Sequence, residues 1–231
     1  MALQVVILAA GMGTRLGKPW PKPLTPLADG RSIMQQQLEN VEKVFRNDVR
    51  TTIVVGFKME MIMEAHPNVS FVYNEIYDQT NTSKSLLKAL RASHESGVLW
   101  LNGDVVFDSR VLERIADRMR NESSFVCVNT SATAEEEVKY TVDANGHINA
   151  LSKQVQNALG EAVGINFISK HHKASVIKYL EECADNDYFE RGLELAIEKA
   201  GIEIEPVDIS DLFAVEVDFQ ADLDRANLNF N

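Results

Sequence analysis

Cysteine is scarce in this chain: Cys127 and Cys183 stand far apart and make no Cys-x-x-Cys pair. That argues against a disulfide framework or a structural zinc site and fits a reducing compartment. No apolar run is long enough to cross a bilayer. The opening one is short, has no charge before it and reads directly as a strand, so no membrane contact and a cytoplasmic location are expected. Positive charge is also in short supply, 23 Lys and Arg against 34 Asp and Glu, a formal net charge of -11. Nucleic acid, which demands a broad basic surface, is disfavoured as a main partner. A free nucleotide needs only a local pocket and stays open. Internal repeats, low-complexity tracts and flexible linkers are missing too.

What the chain has is enough length for a buried core: 231 residues, 45% hydrophobic and 25% charged, the values of a globular protein with one large domain. Short β-branched runs alternate with stretches at helical spacing. Strands are predicted at Gln4–Ala9, Thr51–Val55, Ser70–Tyr73, Val98–Asn102 and Ser124–Asn129, and helices at Ile33–Phe45, Lys58–Ala65, Ser83–Ala92 and Arg110–Arg120. Ser32 followed by Gln35 predicts a capping box for the first helix, and Asp108 or Ser109 a cap for the fourth. The alternation implies an α/β fold: a Rossmann-like, mostly parallel central sheet with helices on both faces.

After about Asn129 the rhythm changes. Val138–Val142 and Ile148–Leu151 flank Asp143-Ala-Asn-Gly146, a hairpin signal that predicts a small antiparallel insertion. A strand at Ala162–Ile168, helices at Lys170–Ala184 and Tyr188–Lys199, strands near Glu203–Ile209 and Ala214–Val217 and a short helix from Gln220 complete the pattern. The expectation is a single domain over residues 1–231, with 1–129 mainly nucleotide-binding, 130–200 mainly acceptor-binding, and 201–231 closing the fold.

The most informative stretch follows the first strand. Ala9 and Ala10 lead into a turn with Gly11 and Gly13, then the cations Arg15, Lys18 and Lys22, with no acid before Asp29. Glycines let backbone N–H groups approach phosphate oxygens closely; Arg15 can fork onto phosphate and Lys22 can act as a point charge. Four of the six prolines, Pro19, Pro21, Pro23 and Pro26, stiffen the segment carrying Lys22. A plain turn with solvated cations is the bland alternative. A Walker loop is ruled out because Gly-Lys-Ser/Thr is missing, and the dinucleotide fingerprint fits poorly because prolines stand where its helix should start.

Leu8-Ala-Ala-Gly-Met-Gly-Thr-Arg-Leu16 followed by Pro21-Lys-Pro-Leu24 resembles the signature of the nucleotidyltransferases that activate sugar phosphates and choline phosphate. The resemblance implies the nucleotide-diphospho-sugar transferase fold and a reaction joining a nucleoside triphosphate to a phosphate monoester with release of pyrophosphate. It assigns Leu8, Ala9, Ala10, Gly11, Met12, Gly13 and Thr14 to the nucleotide, and Arg15 and Lys22 to the triphosphate and its transition state.

Two acidic motifs could hold Mg2+. Leu101-Asn-Gly-Asp104 sets a carboxylate just past the carboxyl end of a buried strand, where open sheets bind ligands, and Gly103 lets a ligand lie close to the backbone. Val215-Glu-Val-Asp218 places Glu216 and Asp218 on one face by period two. Taken alone, Asp104 could be a turn or capping acid and Asp218 an N-cap. The resemblance implies that Asp104 and Asp218, with Glu216, serve Mg2+, an ion that keeps waters and shares substrate phosphates. Mechanism then needs no activated protein nucleophile, since an acceptor phosphate is already anionic.

Asn74-Glu-Ile-Tyr-Asp-Gln-Thr-Asn81 followed by Ser85-Leu86 resembles the branch with bacterial choline-phosphate and aminoalkylphosphonate cytidylyltransferases, which implies CTP and assigns Asn81, Ser85 and Gly103 to it. Thr82 and Ser83 read as a polar N-cap region. The acceptor pocket is expected among Glu161, Phe167, Asp185, Asp187, Tyr188, Phe189 and Glu190, whose aromatics and acids suit an ammonium head group; Glu161, Asp187 and Tyr188 are the residues singled out. Phe167 could equally be core and Asp187 a cap. Lys139 or Lys153 could meet the acceptor phosphate, and the resemblance favours Lys153. The family's choline-binding aromatics have no one-to-one match here. The partners implied are CTP or another nucleoside triphosphate and a small phosphate or phosphonate monoester, with no nucleic acid, no membrane and a possible homodimer. Two other readings stay open: a sugar-1-phosphate nucleotidyltransferase using another base, and a non-catalytic nucleotide-binding regulator.

Overall fold

The computed structural model describes residues 3–131, 133 and 136–229. In chain order its elements are β1 (Leu3–Ala9), α1 (Ile33–Phe45), β2 (Val49–Val55), α2 (Met59–Ala65), β3 (Ser70–Tyr73), α3 (Thr82–Ala92), β4 (Val98–Asn102), β5 (Val105–Phe107) and α4 (Arg110–Arg120). They continue with β6 (Phe125–Asn129), β7 (Lys139–Val142), β8 (Ile148–Ser152), β9 (Gly160–Ile168), α5 (Lys170–Glu182), α6 (Phe189–Ala200), β10 (Glu205–Asp208), β11 (Ala214–Glu216) and α7 (Gln220–Asn227). Most boundaries fall within two residues of those predicted; α1, β3, β4 and α4 match at both ends.

The main sheet runs β10-β6-β9-β4-β1-β2-β3. Strands β4, β1, β2 and β3 are mutually parallel, as are β10 and β6, whereas β9 runs antiparallel to both β4 and β6. The hairpin β7–β8 joins the sheet through β9, and a separate antiparallel pair joins β11 to β5. The sheet is therefore mostly parallel with a small antiparallel part. Gly146 N donates to Asp143 O at 3.1 Å, closing the predicted turn of the hairpin.

Strand β1 shows why its sequence is continuously apolar. Val6 and Leu8 belong to the core cluster that holds Leu86 of α3, Val176 of α5 and Leu193 of α6, while Val5 and Ile7 belong to the one that holds Met34 of α1, Ile62 of α2 and Ile115 of α4. A central parallel strand covered on both faces has no side for polar residues. No helix among the described residues is long and apolar enough to cross a membrane.

One cap expectation changes, and the choice left open at the fourth helix is decided. Ser32 Oγ accepts from Gln35 N as predicted, but the Gln35 amide turns to Glu39 Oε1 at 3.0 Å, so the reciprocal half of the box is absent. At α4, Asp108 rather than Ser109 caps: its Oδ1 accepts from Arg110 N at 2.9 Å, and Ser109 Oγ instead takes a hydrogen bond from Lys43.

Strand order reverses at β1, with β4 on one side and β2 on the other. Such a switch point opens a crevice at the carboxyl ends of the strands. The loop after β1 and the turn after β4 both empty into it.

Candidate functional site

A cleft lies at this edge, lined by Leu8 and Ala9 at the end of β1 and Gly11, Gly13, Arg15 and Lys22 of the loop that follows, by Asn102 at the end of β4 with Gly103 and Asp104 after it, and by Glu216 at the end of β11 with Asp218 beyond. Its far wall carries Asn81, Thr82, Glu136, Glu137, Lys153, Gly164, Tyr188, Phe189 and Glu190. Local backbone chemistry builds the near wall. Gly13 adopts φ +58, and a Cβ there would stand 2.9 Å from Lys22 Cβ, so the turn and the lysine stem share space that only glycine leaves free. Gly103 N donates to Leu8 O at 2.9 Å, and a Cβ on it would meet that oxygen at 2.6 Å. The ends of β1 and β4 are joined tightly at this point.

Pro21 and Pro23 frame a single 3-10 turn at Lys22–Leu24 that aims the Lys22 ammonium inward. Its Nζ donates to Asp104 Oδ2 at 2.7 Å and to Asp218 Oδ1. Burial alone would lower the Lys22 pKa; hydrogen bonds and charge from the two aspartates outweigh it and raise it. Arg15, in the turn Thr14–Leu16, meets Asp218 Oδ2 at 2.7 Å and lies over the Phe219 ring at 5.9 Å from its centroid. Val217 N donates to Asp104 O at 3.0 Å, which ties the two acidic segments by backbone as well.

Two carboxylates thus converge on one cation, and the buried Asp104 Oδ1 has no hydrogen-bond partner. This donor set suits a hard cation that takes one or two protein carboxylates and completes its shell with water and phosphate, as Mg2+ does. Among the described residues no three His, Cys, Asp or Glu side chains close on one point. Glu216 stands apart from the aspartate pair: its Oε1 accepts from Asn102 Nδ2 at 3.2 Å. Burial first, then the charges of Asp104 and Glu137, hold its carboxyl well above the usual range.

The other residues singled out from sequence divide into those inside the cleft and those behind it. Asn81 lines the cleft yet serves as the N-cap of α3, its Oδ1 accepting from Thr82 N at 2.8 Å and its Nδ2 donating to Asn186 O at 3.2 Å. Ser85 is buried and accepts from Asn74 Nδ2 at 3.1 Å. Ala10 O accepts from Phe57 N at 3.0 Å, and Ala10 faces the core. Met12 is exposed, and neither it nor Thr14 lines the cleft. On the acceptor side Tyr188 and Lys153 line the cleft, with Lys153 Nζ 5.2 Å from the Tyr188 ring centroid. Asp187 does not: its Oδ2 accepts from Ala184 N at 2.8 Å, closing the turn before α6. Glu161 pairs with Lys139 in the β9–β7 ladder and is also outside the lining. Phe167 stacks on Phe125 in the core.

Glu136, Glu137 and Gly164 were not singled out. The acid run at Glu136–Glu137 was the one sequence signal available for them, and it reads equally as a solvated loop. Glu190 was only one of a mixed group, and the structure distinguishes it: it is 8% exposed, and its Oε2 has no hydrogen-bond partner. Burial pushes its carboxyl from 4.5 up to about 7, against the pull of its own backbone N–H and Lys153. A raised folded-state value makes the protonated form the favoured one. The stability this group contributes is therefore fully present below about 4.5 and is lost as pH rises to about 7. Glu190→Gln should raise the melting temperature of the ligand-free protein at pH 8 and change it little at pH 5. Equal shifts at both pH values would refute the assignment.

Comparison with known proteins gives a consistent picture. Residues 5–176 match the model of the MobA-like NTP transferase domain. The chain is 30% identical to CMP-5'-(3-aminopropyl)phosphonate synthase of Streptomyces rubellomurinus over 99% of this chain and 39% of that protein. It is 35% identical to the bifunctional protein GlmU of Francisella tularensis over 53% of this chain and 26% of that one. The chain thus spans well under half the length of these relatives. Among solved structures, the CTP:phosphocholine cytidylyltransferase of Streptococcus pneumoniae superposes with a TM-score of 0.80 at 16% identity, covering 100% of both chains. The inositol-1-phosphate CTP transferase of T. maritima does so with a TM-score of 0.78 at 17% identity, over 96% of this chain and 91% of that one. These likenesses establish the fold.

Proposed function

The chain belongs to the MobA-like NTP transferase family, and from that premise we propose that it is a cytidylyltransferase. It joins CMP from CTP to a small phosphate or phosphonate monoester and releases pyrophosphate. The observation that carries the reading is the Lys22 ammonium held between Asp104 and Asp218 beside a glycine turn. Cations for a triphosphate and acids for a metal meet there at one point.

In this reading the backbone from Leu8 to Gly13 receives the nucleotide, with Asn81 and Gly103 at its sides. Arg15 and Lys22 neutralise the triphosphate and the charge that develops at the α-phosphorus. Fixed cations already in place cost no reorganisation as the reaction proceeds, which is where most electrostatic catalysis lies. Asp104 and Asp218 would hold Mg2+, which when bound shields phosphate charge and orients the oxygens. Charge balance supports the ion. The cleft contains the cations Arg15, Lys22 and Lys153 beside six acidic side chains, of which Glu137, Glu190 and Glu216 are held toward their neutral forms by burial. Asp104, Glu136 and Asp218 already offset the three cations, so a triphosphate entering the cleft requires added positive charge. Lys153 and Tyr188 stand at the acceptor end, Lys153 to meet the attacking phosphate. Residues 1–129 then form the nucleotide half and 130–200 the acceptor half of one domain.

CTP is favoured over other bases because the relative aligned along nearly the whole chain is named for a CMP-linked phosphonate product. Pyrophosphate release measured with each common nucleoside triphosphate, against a panel of phosphate and phosphonate acceptors, tests the claim. CTP should exceed the others by about tenfold or more in kcat/KM, a difference of roughly 1.4 kcal/mol. Turnover confined to dTTP or GTP with a hexose phosphate would overturn it.

A further inference from the structure

Glu190 sits in the first turn of α6, directly after Tyr188 and Phe189, and all three line the far wall of the cleft. Its Oε2 is buried and meets no donor. Leaving a buried carboxylate oxygen unpaired is costly, and at the wall of a cleft the missing bond can come from a water, an ion or a ligand. Among the described residues no cation hydrogen-bonds to it. Lys153 Nζ is engaged over the Tyr188 ring, 5.2 Å from its centroid. Glu137 faces the same cleft, half-buried, and adds further negative charge.

We infer that Glu190 reads the acceptor's head group and that this group is an ammonium bearing N–H, a primary or secondary amine and not a trimethylammonium. The inference rests on the transferase reading above. Two features separate the amines. An orphan carboxylate oxygen needs a hydrogen to accept, and a trimethylammonium has none to give. A quaternary head group is instead held by several aromatic faces. Here Phe189 is 2% exposed and packed edge-on against Trp100 at 5.5 Å, and Tyr188, the exposed ring beside it on this wall, already carries Lys153. The wall offers the carboxylates of Glu136, Glu137 and Glu190 and no aromatic cage.

The test uses CTP and Mg2+ with aminoalkyl phosphonates of two and three methylenes, their N,N,N-trimethyl derivatives and the alkyl phosphonates with methyl in place of ammonium. Wild-type protein should favour the primary amine over both analogues by on the order of 100-fold or more in kcat/KM, since a site built around a hydrogen bond rejects partners that lack it. In Glu190→Gln the preference for ammonium over the methyl isostere should collapse to within a few-fold. Equal or better use of the trimethyl acceptor by the wild type would overturn the inference and leave the cytidylyl reading standing, as would a Glu190→Gln protein that keeps the full preference. Failure of every acceptor with CTP, alongside turnover with another triphosphate, would remove the underlying reading and this inference with it. The wild-type comparison stands even if the variant does not fold.

Discussion

Lys22→Met is expected to cut pyrophosphate release from CTP by about a thousandfold or more, while tightening the hold on a divalent cation by about tenfold. The two effects run in opposite directions for one reason. In the ligand-free protein the Lys22 ammonium occupies the point where Asp104 and Asp218 converge. A metal arriving at these carboxylates competes with it, so removing the ammonium removes the competitor. The same removal takes from the triphosphate its least exposed cation, the Lys22 side chain being 10% exposed against 47% for Arg15. Without metal, the variant should also lose about 2 kcal/mol of stability. Breaking a buried pair costs about 3–5 kcal/mol, and the aspartates here are only partly buried. Adding Mg2+ should restore most of that loss. Calorimetric titration with Mn2+ and thermal melts with and without Mg2+ check both effects. A variant that binds Mn2+ more weakly than wild type would contradict the competition.

Asp218→Asn should also lower turnover by about a thousandfold, with a different binding signature. Asp218 is shared: Arg15 reaches one of its oxygens at 2.7 Å and Lys22 the other. Neutralising it weakens the metal pair but releases both cations toward a phosphate. CTP titrated in the presence of EDTA should therefore bind several-fold tighter than to wild type, although catalysis with Mg2+ collapses. Normal turnover would dismiss Asp218 as a metal ligand. Weaker metal-free binding would dismiss Arg15 and Lys22 as the triphosphate grip.

The fold was largely legible in the chain because its elements carry strong local signals. The apolar runs of β1, β3 and β4 and the periodic spacing of α1 and α4 needed no tertiary information. Strand β5 escaped notice for a physical reason. Val105-Val106-Phe107 is three residues long, fully buried, and separated from β4 by a two-residue turn, so it reads as part of the same apolar stretch. Only its pairing with β11 defines it as a strand. The antiparallel insertion of β9 between β4 and β6 is likewise a long-range choice that local pattern does not encode.

The candidate site was legible where backbone constraint and chemistry coincide. Gly13, Arg15, Lys22, Gly103, Asp104 and Asp218 all come together in the cleft. Side chains with two plausible uses were harder to place. Asn81 has a ligand-like amide but caps α3, and Asp187 turns back to Ala184 N. In both, a nearby backbone N–H captures the oxygen. Glu190 presented the reverse problem, since nothing in Tyr188-Phe-Glu-Arg191 reveals that one buried carboxylate oxygen goes unpaired.

The Lys22 ammonium joins residues 82 and 196 positions away in the chain. Asp218 is set by the β11–β5 pairing, among the most distant contacts the fold must make. The nucleotide grip therefore cannot be complete before β11 has paired with β5. A chain emerging from the ribosome can form the glycine turn and the Asp104 strand early, but it lacks the closing acid until the last strand is made. Unfinished copies carry the phosphate loop without the apparatus to use it.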